Sequence, residues 1–222
     1  MTRSLKILAS GALALVALSA AIVTSAQAAE FHCSVEPCRY KLKPDGTAGT
    51  KTAHQVFVVK NSAGESATVT CNEAFGQATT SAKTAMELTF TSTGFGVCSF
   101  NGSAGAGLSM NGCSLVYGAG GTFGIKGCSK GIEFNPGGCT VTLPEQTVSG
   151  VKFHNIGEEA KSTTELTAEI AALSMTVTAS GSIGGCGLDT TKTPLTGEFK
   201  TGNVIITGET DPGGVMANAW WA

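Results

Sequence analysis

Aromatic and charged side chains are scarce in this chain of 222 residues, at 6% and 14%. So little charge excludes a coiled coil or a charged disordered tail, both of which need dense Lys/Glu patterning. A formal net charge of −2 excludes the basic footprint of a nucleic-acid binder. Aspartate is nearly missing: Asp45, Asp189 and Asp211 stand far apart, each in or beside a Gly- or Thr-rich turn. Calcium loops need clustered oxygen ligands, so these three read as turn residues bonded to their own backbone. The three histidines, His32, His54 and His154, form no HxH or HxxxH pair and read as surface or rim residues rather than metal ligands.

What is present begins with an export signal. Arg3 and Lys6 supply a positive start, Ile7 to Val23 an apolar run, and Ala26-Gln27-Ala28 a small-x-small cleavage site. Cleavage after Ala28 leaves 194 residues with 12 basic and 16 acidic side chains, a net charge of −4. No later apolar run approaches the length of a membrane span, so free secretion without a transmembrane anchor is expected. A cut one residue later would leave Glu30-Phe31-His32 at the new terminus, an arrangement able to chelate Cu(II); the preferred cut puts His32 fourth and weakens it.

All eight cysteines, Cys33, Cys38, Cys71, Cys98, Cys113, Cys128, Cys139 and Cys186, lie in the exported part. In an oxidising compartment an even count reads as a disulfide framework, with 105 possible connectivities. Zinc sites need matched CxxC-type pairs, and Cys33-x4-Cys38 has no counterpart. Proximity along a meandering chain favours Cys33 with Cys38, Cys71 with Cys98, Cys113 with Cys128 and Cys139 with Cys186; only the first is indicated by its spacing.

The exported part alternates apolar and polar residues, with turn signals every eight to twelve positions. Val56 to Val59, an Asn61 to Gly64 turn, and Ala67, Val69 and Cys71 read as a hairpin with one wet face. Leu88 to Thr91 leads to a turn at Gly94. Leu115 and Tyr117 meet Phe123 and Ile125 across Gly118 to Gly121, and Ile132 to Phe134 meets Cys139 to Leu143 across Asn135-Pro136-Gly137-Gly138. Leu166 to Ile170 and Met175 to Ala179 alternate and predict a further hairpin, with a short helix at 158–164 as the competing reading. Val204 to Ile206, an Asp211 to Gly214 turn and Val215 to Trp221 close the chain. Gly102 to Gly107 reads as a flexible loop. The fifteen-residue spacing of Cys98, Cys113 and Cys128 hints at a β-solenoid, but the residues between them do not repeat. The expected fold is an all-β antiparallel sandwich over residues 29–222, stapled by disulfides, with 144–150 the place where two packed subdomains would meet.

The strings Ala67-Thr68-Val69-Thr70-Cys71, Cys113-Ser114-Leu115-Val116-Tyr117, Cys139 to Gln146 and Val151-Lys152-Phe153-His154-Asn155 resemble those of uncharacterised secreted, cysteine-containing all-β proteins of high-GC soil actinobacteria. The resemblance implies export and bacterial origin, and it transfers no site or activity.

Candidate chemistry is thin, and no catalytic, cofactor or metal residue is assigned. Gly127-Cys128-Ser129-Lys130-Gly131 matches the GxSxG pattern, but that chemistry needs a strand-to-helix elbow and here another strand follows; His154 and Glu133 would be the helpers of Ser129. Glu87, Glu133, Glu145, Glu165 and Glu169 could converge as paired carboxylates, though they read more simply as solvated residues on sheet faces. Asn101-Gly102-Ser103 matches a glycosylation acceptor, uninformative if the source is bacterial. Thr-rich wet faces and Trp220-Trp221 point instead to carbohydrate. The leading expectation is a secreted, noncatalytic binding or structural protein whose partner is an extracellular polysaccharide or envelope component. The alternative is a secreted hydrolase assembled only in three dimensions.

Overall fold

A computed structural model of the chain describes residues 28–44, 55–156 and 165–222. The export segment, Asp45, His54 and the helical alternative at 158–164 lie outside the described residues. The two longest strands, β4 (Ser66–Thr80) and β17 (Thr196–Thr210), run fifteen residues each. Between them lie β2 (Cys38–Pro44) and β3 (Gln55–Lys60), end to end and pointing the same way. β2 pairs with positions 76–80 of β4 and 204–210 of β17, while β3 pairs with 66–71 and 196–201. One lane of the sheet is therefore filled by two strands in succession.

The other edge of β4 pairs with β6 (Glu87–Phe100), which hands the sheet on to β9 (Ser114–Gly118), β10 (Thr122–Lys126) and β13 (Gln146–Ser149). Beyond β17 lie β15 (Glu165–Met175) and β14 (Lys152–Asn155), and the short strands β7 (Ser103–Ala104) and β18 (Met216–Ala217) lean on β6 and β17. A second sheet takes the order β16 (Thr178–Gly181), β12 (Cys139–Leu143), β11 (Ile132–Asn135), β8 (Gly107–Ser109). A third joins β19 (Ala219–Trp221), β1 (Phe31–Cys33) and β5 (Thr84–Ala85), and α1 (Ile183–Cys186) is a single turn. The fold is all-β and antiparallel, as the alternation predicts.

The large sheet doubles over. Phe123 on β10 meets Phe199 on β17 at 5.2 Å between ring centroids, and Tyr117 on β9 meets Phe153 on β14 at 6.4 Å. Those strands sit toward opposite ends of the sheet order, so its two ends face each other, the layered packing of a sandwich. Phe134 on β11 then packs on Phe57 of β3 at 5.0 Å, which seats the four-stranded sheet on the same core. One hydrophobic cluster spans Phe31 to Ala219 and includes Leu143 and Val151, on either side of 144–150.

The bend has a local origin. On β4 the buried phase switches between Cys71 and Ala74, and on β6 between Phe95 and Cys98. At that level Val97 has φ 44°, and Ser92, further back on β6, has φ 50° beside a register shift between Phe75 and Gln77. Left-handed residues inside a strand interrupt the ladder and increase its twist, so a strand can bury one face at one end and the other face at the other.

Three sequence readings are corrected. β6 runs straight through Gly94, which pairs with Phe75 and continues the ladder instead of turning it. Leu166 to Ala179 is not a hairpin: β15 ends at Met175, and the chain crosses to the four-stranded sheet, where β16 pairs with β12. No Gly, Asn or Pro interrupts Thr176-Val177, and Gln146 holds the crossing open, its Oε1 accepting from Thr176 N at 2.7 Å and its Nε2 donating to Thr176 O at 3.0 Å. The stretch 102–107 is not a flexible loop. Asn101 and Gly102 have φ 46° and 82°, the two-residue turn that joins β6 to β7, and Gly107 then starts β8.

Disulfides fasten the places where the chain changes course. Cys33–Cys38 ties β1 to β2, Cys71–Cys98 links facing positions on β4 and β6, Cys113–Cys128 closes the base of the β9–β10 hairpin, and Cys139–Cys186 binds β12 to α1. Non-reducing peptide mapping is expected to return these four pairs. Replacing both Cys139 and Cys186 by Ala, which frees a 47-residue separation, should lower unfolding free energy by about 4 kcal/mol in a denaturant titration; an unchanged midpoint would refute the link.

Tyr40 on β2 is wholly buried, and its hydroxyl has no hydrogen-bond partner among the described residues. Burial pushes its ionisation far above the ordinary tyrosine value. An unpaired buried hydroxyl costs about 1–3 kcal/mol, so Tyr40→Phe should leave stability unchanged or raise it by about 1 kcal/mol. A clear loss in the melting curve would mean the hydroxyl has a partner after all.

Candidate functional site

The four-stranded sheet turns one face to the core and the other to solvent. Ile132, Phe134, Val141 and Leu143 point inward and are buried. With a side-chain period of two, their neighbours must point outward. Register decides which of these meet. Thr178 on β16, Thr142 on β12, Glu133 on β11 and Ser109 on β8 fall in one row across all four strands. The adjacent row holds Ser180, Thr140, Asn135 and Gly107, with Thr140 Oγ1 donating to Asn135 Oδ1 at 2.9 Å. Strand spacing sets hydroxyls about 4.8 Å apart along a row, and two residues of rise separate the rows by roughly 7 Å. The result is a polar lattice.

The lattice leads into a depression of about 310 Å³, lined by Asn101, Ser103, Gly105, Pro136, Gly137 and Gly185 among others. Pro136 and Gly137 directly follow Asn135 in the chain, so the depression begins where β11 ends. Its glycine-rich wall presents backbone rather than side chains, which lets a ligand approach main-chain donors and acceptors closely.

At the other end of the lattice Asn111 gathers the loop that carries the GxSxG string. Its Oδ1 accepts from Ser109 Oγ at 2.8 Å, and its Nδ2 donates to Gly131 O at 2.9 Å and to Glu133 Oε2 at 3.0 Å. Ser129 Oγ donates to Asn111 O at 3.0 Å, and Glu145 Oε1 accepts from Cys128 N at 2.6 Å. Ser129, Glu133 and Glu145 are therefore brought together, but each braces the loop. His154 is elsewhere, exposed on β14 with Nε2 3.3 Å from Glu169 Oε2. Ser129 Oγ is given to a carbonyl and His154 stands on a different sheet from Glu133, so the serine–histidine pair that the GxSxG reading needs is not assembled.

The side chain of Glu165 lies outside those described, and the remaining candidates are also engaged in structure. Glu87 pairs with Lys126 at 2.9 Å. Asp189 Oδ1 accepts from Thr191 N at 3.0 Å and Oγ1 at 2.6 Å, the turn role that its sequence context predicts. Asn101 of the glycosylation string accepts from Thr68 N at 2.8 Å and so holds its own turn. His32 stacks on its cross-strand neighbour Trp220, centroids 5.1 Å apart, and Glu30 N donates to Ala222 O, so the amides that a copper chelate would use lie at a paired strand. Trp221 turns to the opposite side, packs on Phe153 and donates its Nε1 to Ala119 O at 2.9 Å. The tryptophan pair is split between two faces. Among the described residues no cluster of His, Cys, Asp and Glu could hold a metal ion, and no helix is long and apolar enough to cross a membrane.

No protein-family model, curated protein or solved structure matches this chain.

Two acidic groups anchor loops around this scaffold. Glu209 on β17 is buried; burial alone would raise its pKa, but Lys41 Nζ at 2.7 Å and Arg39 at 3.3 Å hold it below the ordinary value of 4.5. Arg39 also pairs with Asp211 in the next turn. Glu65 is lowered by the Asp189 N–H, by Asn61 and by Lys192, and so clamps 61–65 to 189–192. A carboxylate whose folded pKa is depressed contributes stability above its unfolded value, and that contribution is lost as pH falls through the folded one. The denaturation midpoint should therefore hold from neutrality to about pH 5 and fall below it. Glu209→Gln should lower the neutral midpoint and flatten the acid limb; a variant as steep as the parent would exclude this pair as the cause.

Proposed function

We propose that the chain is exported, loses residues 1–28 and works outside the cell as a noncatalytic polysaccharide-binding protein, with the outer face of the four-stranded sheet as its contact surface. Four disulfides are compatible with an extracellular location, because such bonds persist in oxidising compartments. The observation that carries the reading is the alignment of Thr178, Thr142, Glu133 and Ser109 in one row beside Ser180, Thr140 and Asn135. Hydroxyl, amide and carboxylate groups on a rigid sheet can both donate to and accept from the hydroxyls of a glycan. An open row of such groups suits an extended chain or the surface of an insoluble polymer, where many weak bonds add up over several sugars. The partner expected is a cell-envelope or environmental polysaccharide.

Retention of the mature protein on chitin, cellulose and purified bacterial cell wall tests this directly. Thr140→Val with Thr142→Val keeps the β-branched shape and removes two hydroxyls. The double variant should bind about fivefold more weakly, at roughly 1 kcal/mol for the pair, and melt at a similar temperature. Binding to chitin and cellulose should change little between low and high salt, since these polymers carry no net charge. Retention on none of the three polymers would remove the reading.

A further inference from the structure

Nine of the ten phenylalanines are buried; Phe75 is 48% exposed. It stands on β4 opposite Gly94 of β6. A Cβ added to Gly94 would run into Phe75 Cζ and lie 2.9 and 3.1 Å from Cε2 and Cε1, so the end of the ring lies over the glycine. Two residues back on β4, Glu73 leans over Gly96 in the same way, with Oε2 2.8 Å and Cβ 3.3 Å from where a Cβ would sit. Gln77 is exposed on the other side of Phe75 along β4, and Thr91 faces it from β6.

Covering Gly94 explains one side of the ring and leaves the other to water. A bulky aliphatic side chain would shield the glycine equally well. The absence of side chains at Gly94 and Gly96 also keeps the ring open to approach from above. Phe75 thus forms an apolar plate, with a carboxylate about 7 Å to one side and an amide about 7 Å to the other, the distance set by two residues of strand rise.

We propose that Glu73, Phe75 and Gln77 form a stacking subsite for one hexopyranose unit of a neutral polysaccharide. A pyranose presents a face of C–H bonds, whose slightly positive hydrogens match the electron-rich face of the phenyl ring. Its rim of hydroxyls would donate to Glu73 and exchange bonds with Gln77, which carries both a donor and an acceptor. A protein partner fits less well, because one ring among polar groups and glycines is far from the apolar core of a stable interface. A carboxylate at its side, on a chain of net negative charge, disfavours nucleic acid and acidic glycans. The subsite stands on the twelve-stranded sheet and does not depend on the hydroxyl lattice of the four-stranded one.

The test uses the mature protein, titrated separately with cellohexaose and chitohexaose by calorimetry. Phe75→Leu still covers Gly94 but has no aromatic face, and should weaken binding about tenfold with the melting temperature kept. Phe75→Trp should bind at least as tightly, and its added indole fluorescence should shift with sugar relative to the parent. Phe75→Leu should cost the same factor in the Thr140→Val/Thr142→Val background as in the parent, as expected of two separate sites. Parent-like affinity in Phe75→Leu, or an added indole in Phe75→Trp that responds to neither sugar, would each overturn the proposal. Loss in the threonine variant with parent-like Phe75→Leu would leave the lattice reading standing, and loss in Phe75→Leu with parent-like polymer retention of the threonine variant would leave the subsite standing without it.

Discussion

Two fifteen-residue strands that share one lane set the architecture. Because β2 and β3 lie end to end between β4 and β17, each long strand is bonded along both halves by different partners, and neither can shift register without breaking its pairings to both. A slip of one residue would also turn Phe57, Val59, Tyr40 and Leu42 from core to solvent. This fixed central strip lets the rest of the sheet bend. The left-handed residues Ser92 and Val97 fall on β6, immediately beside it, and the sheet folds over from there to bring β9 and β10 against β14 and β17.

Covalent links matter in such a fold because its packing is assembled from few large side chains. The aromatic contacts converge on Phe57, Phe153, Phe199 and Tyr117, and much of the remaining interior is Val, Ala, Leu and cysteine. Almost all strand pairings outside the hairpins join residues far apart in sequence, so closing them carries a large loop entropy. Of the four links Cys139–Cys186 closes the longest separation, 47 residues, tying β12 to the segment that follows β16. Cys113–Cys128 closes a hairpin that is already local, and its smaller loop stabilises less on the entropic account.

What can be read from the sequence is the local part. The hairpins β3–β4, β9–β10 and β11–β12 follow from alternation plus a turn signal, because both strands and the turn lie within one short stretch. Nearest-neighbour pairing of cysteines along such a meander leads to the same four links that the structure contains. Asn101-Gly102 is equally local, the strongest two-residue hairpin signal, and the glycines after it mask it. The crossing at Thr176 is not legible, since the alternating pattern of Met175 to Ala179 suits a hairpin and a change of sheet equally. It takes Gln146, thirty residues earlier, to hold the exchange. The site shows the same division. Thr140 and Thr142 can be recognised as residues of a wet face. Their alignment with Thr178 and Ser109 depends on pairings across four separated strands, and alternation says nothing about register between strands. Nothing local marks Phe75 as exposed, because its outward turn follows the reversal of phase between Cys71 and Ala74.

The GxSxG string shows why the surviving surface favours binding. A short motif has chemical meaning through its geometry, and here the serine, Glu133 and Glu145 all serve the loop at Asn111 and Cys128. The other well-placed carboxylates behave alike: Glu65 clamps the 189–192 turn and Glu209 is enclosed by Lys41 and Arg39. In a chain with so few charges, fastening loops in this way uses the acidic groups that could otherwise converge on a substrate. The outer faces are then left mainly to hydroxyls, amides, glycine backbone and one open phenyl ring, with Glu133 in the one and Glu73 in the other. Together these groups can satisfy a ligand that alternates hydroxyl rims with C–H faces. Neutral sugar polymers have that alternation in every residue, so affinity can accumulate along the chain from contacts that are individually weak.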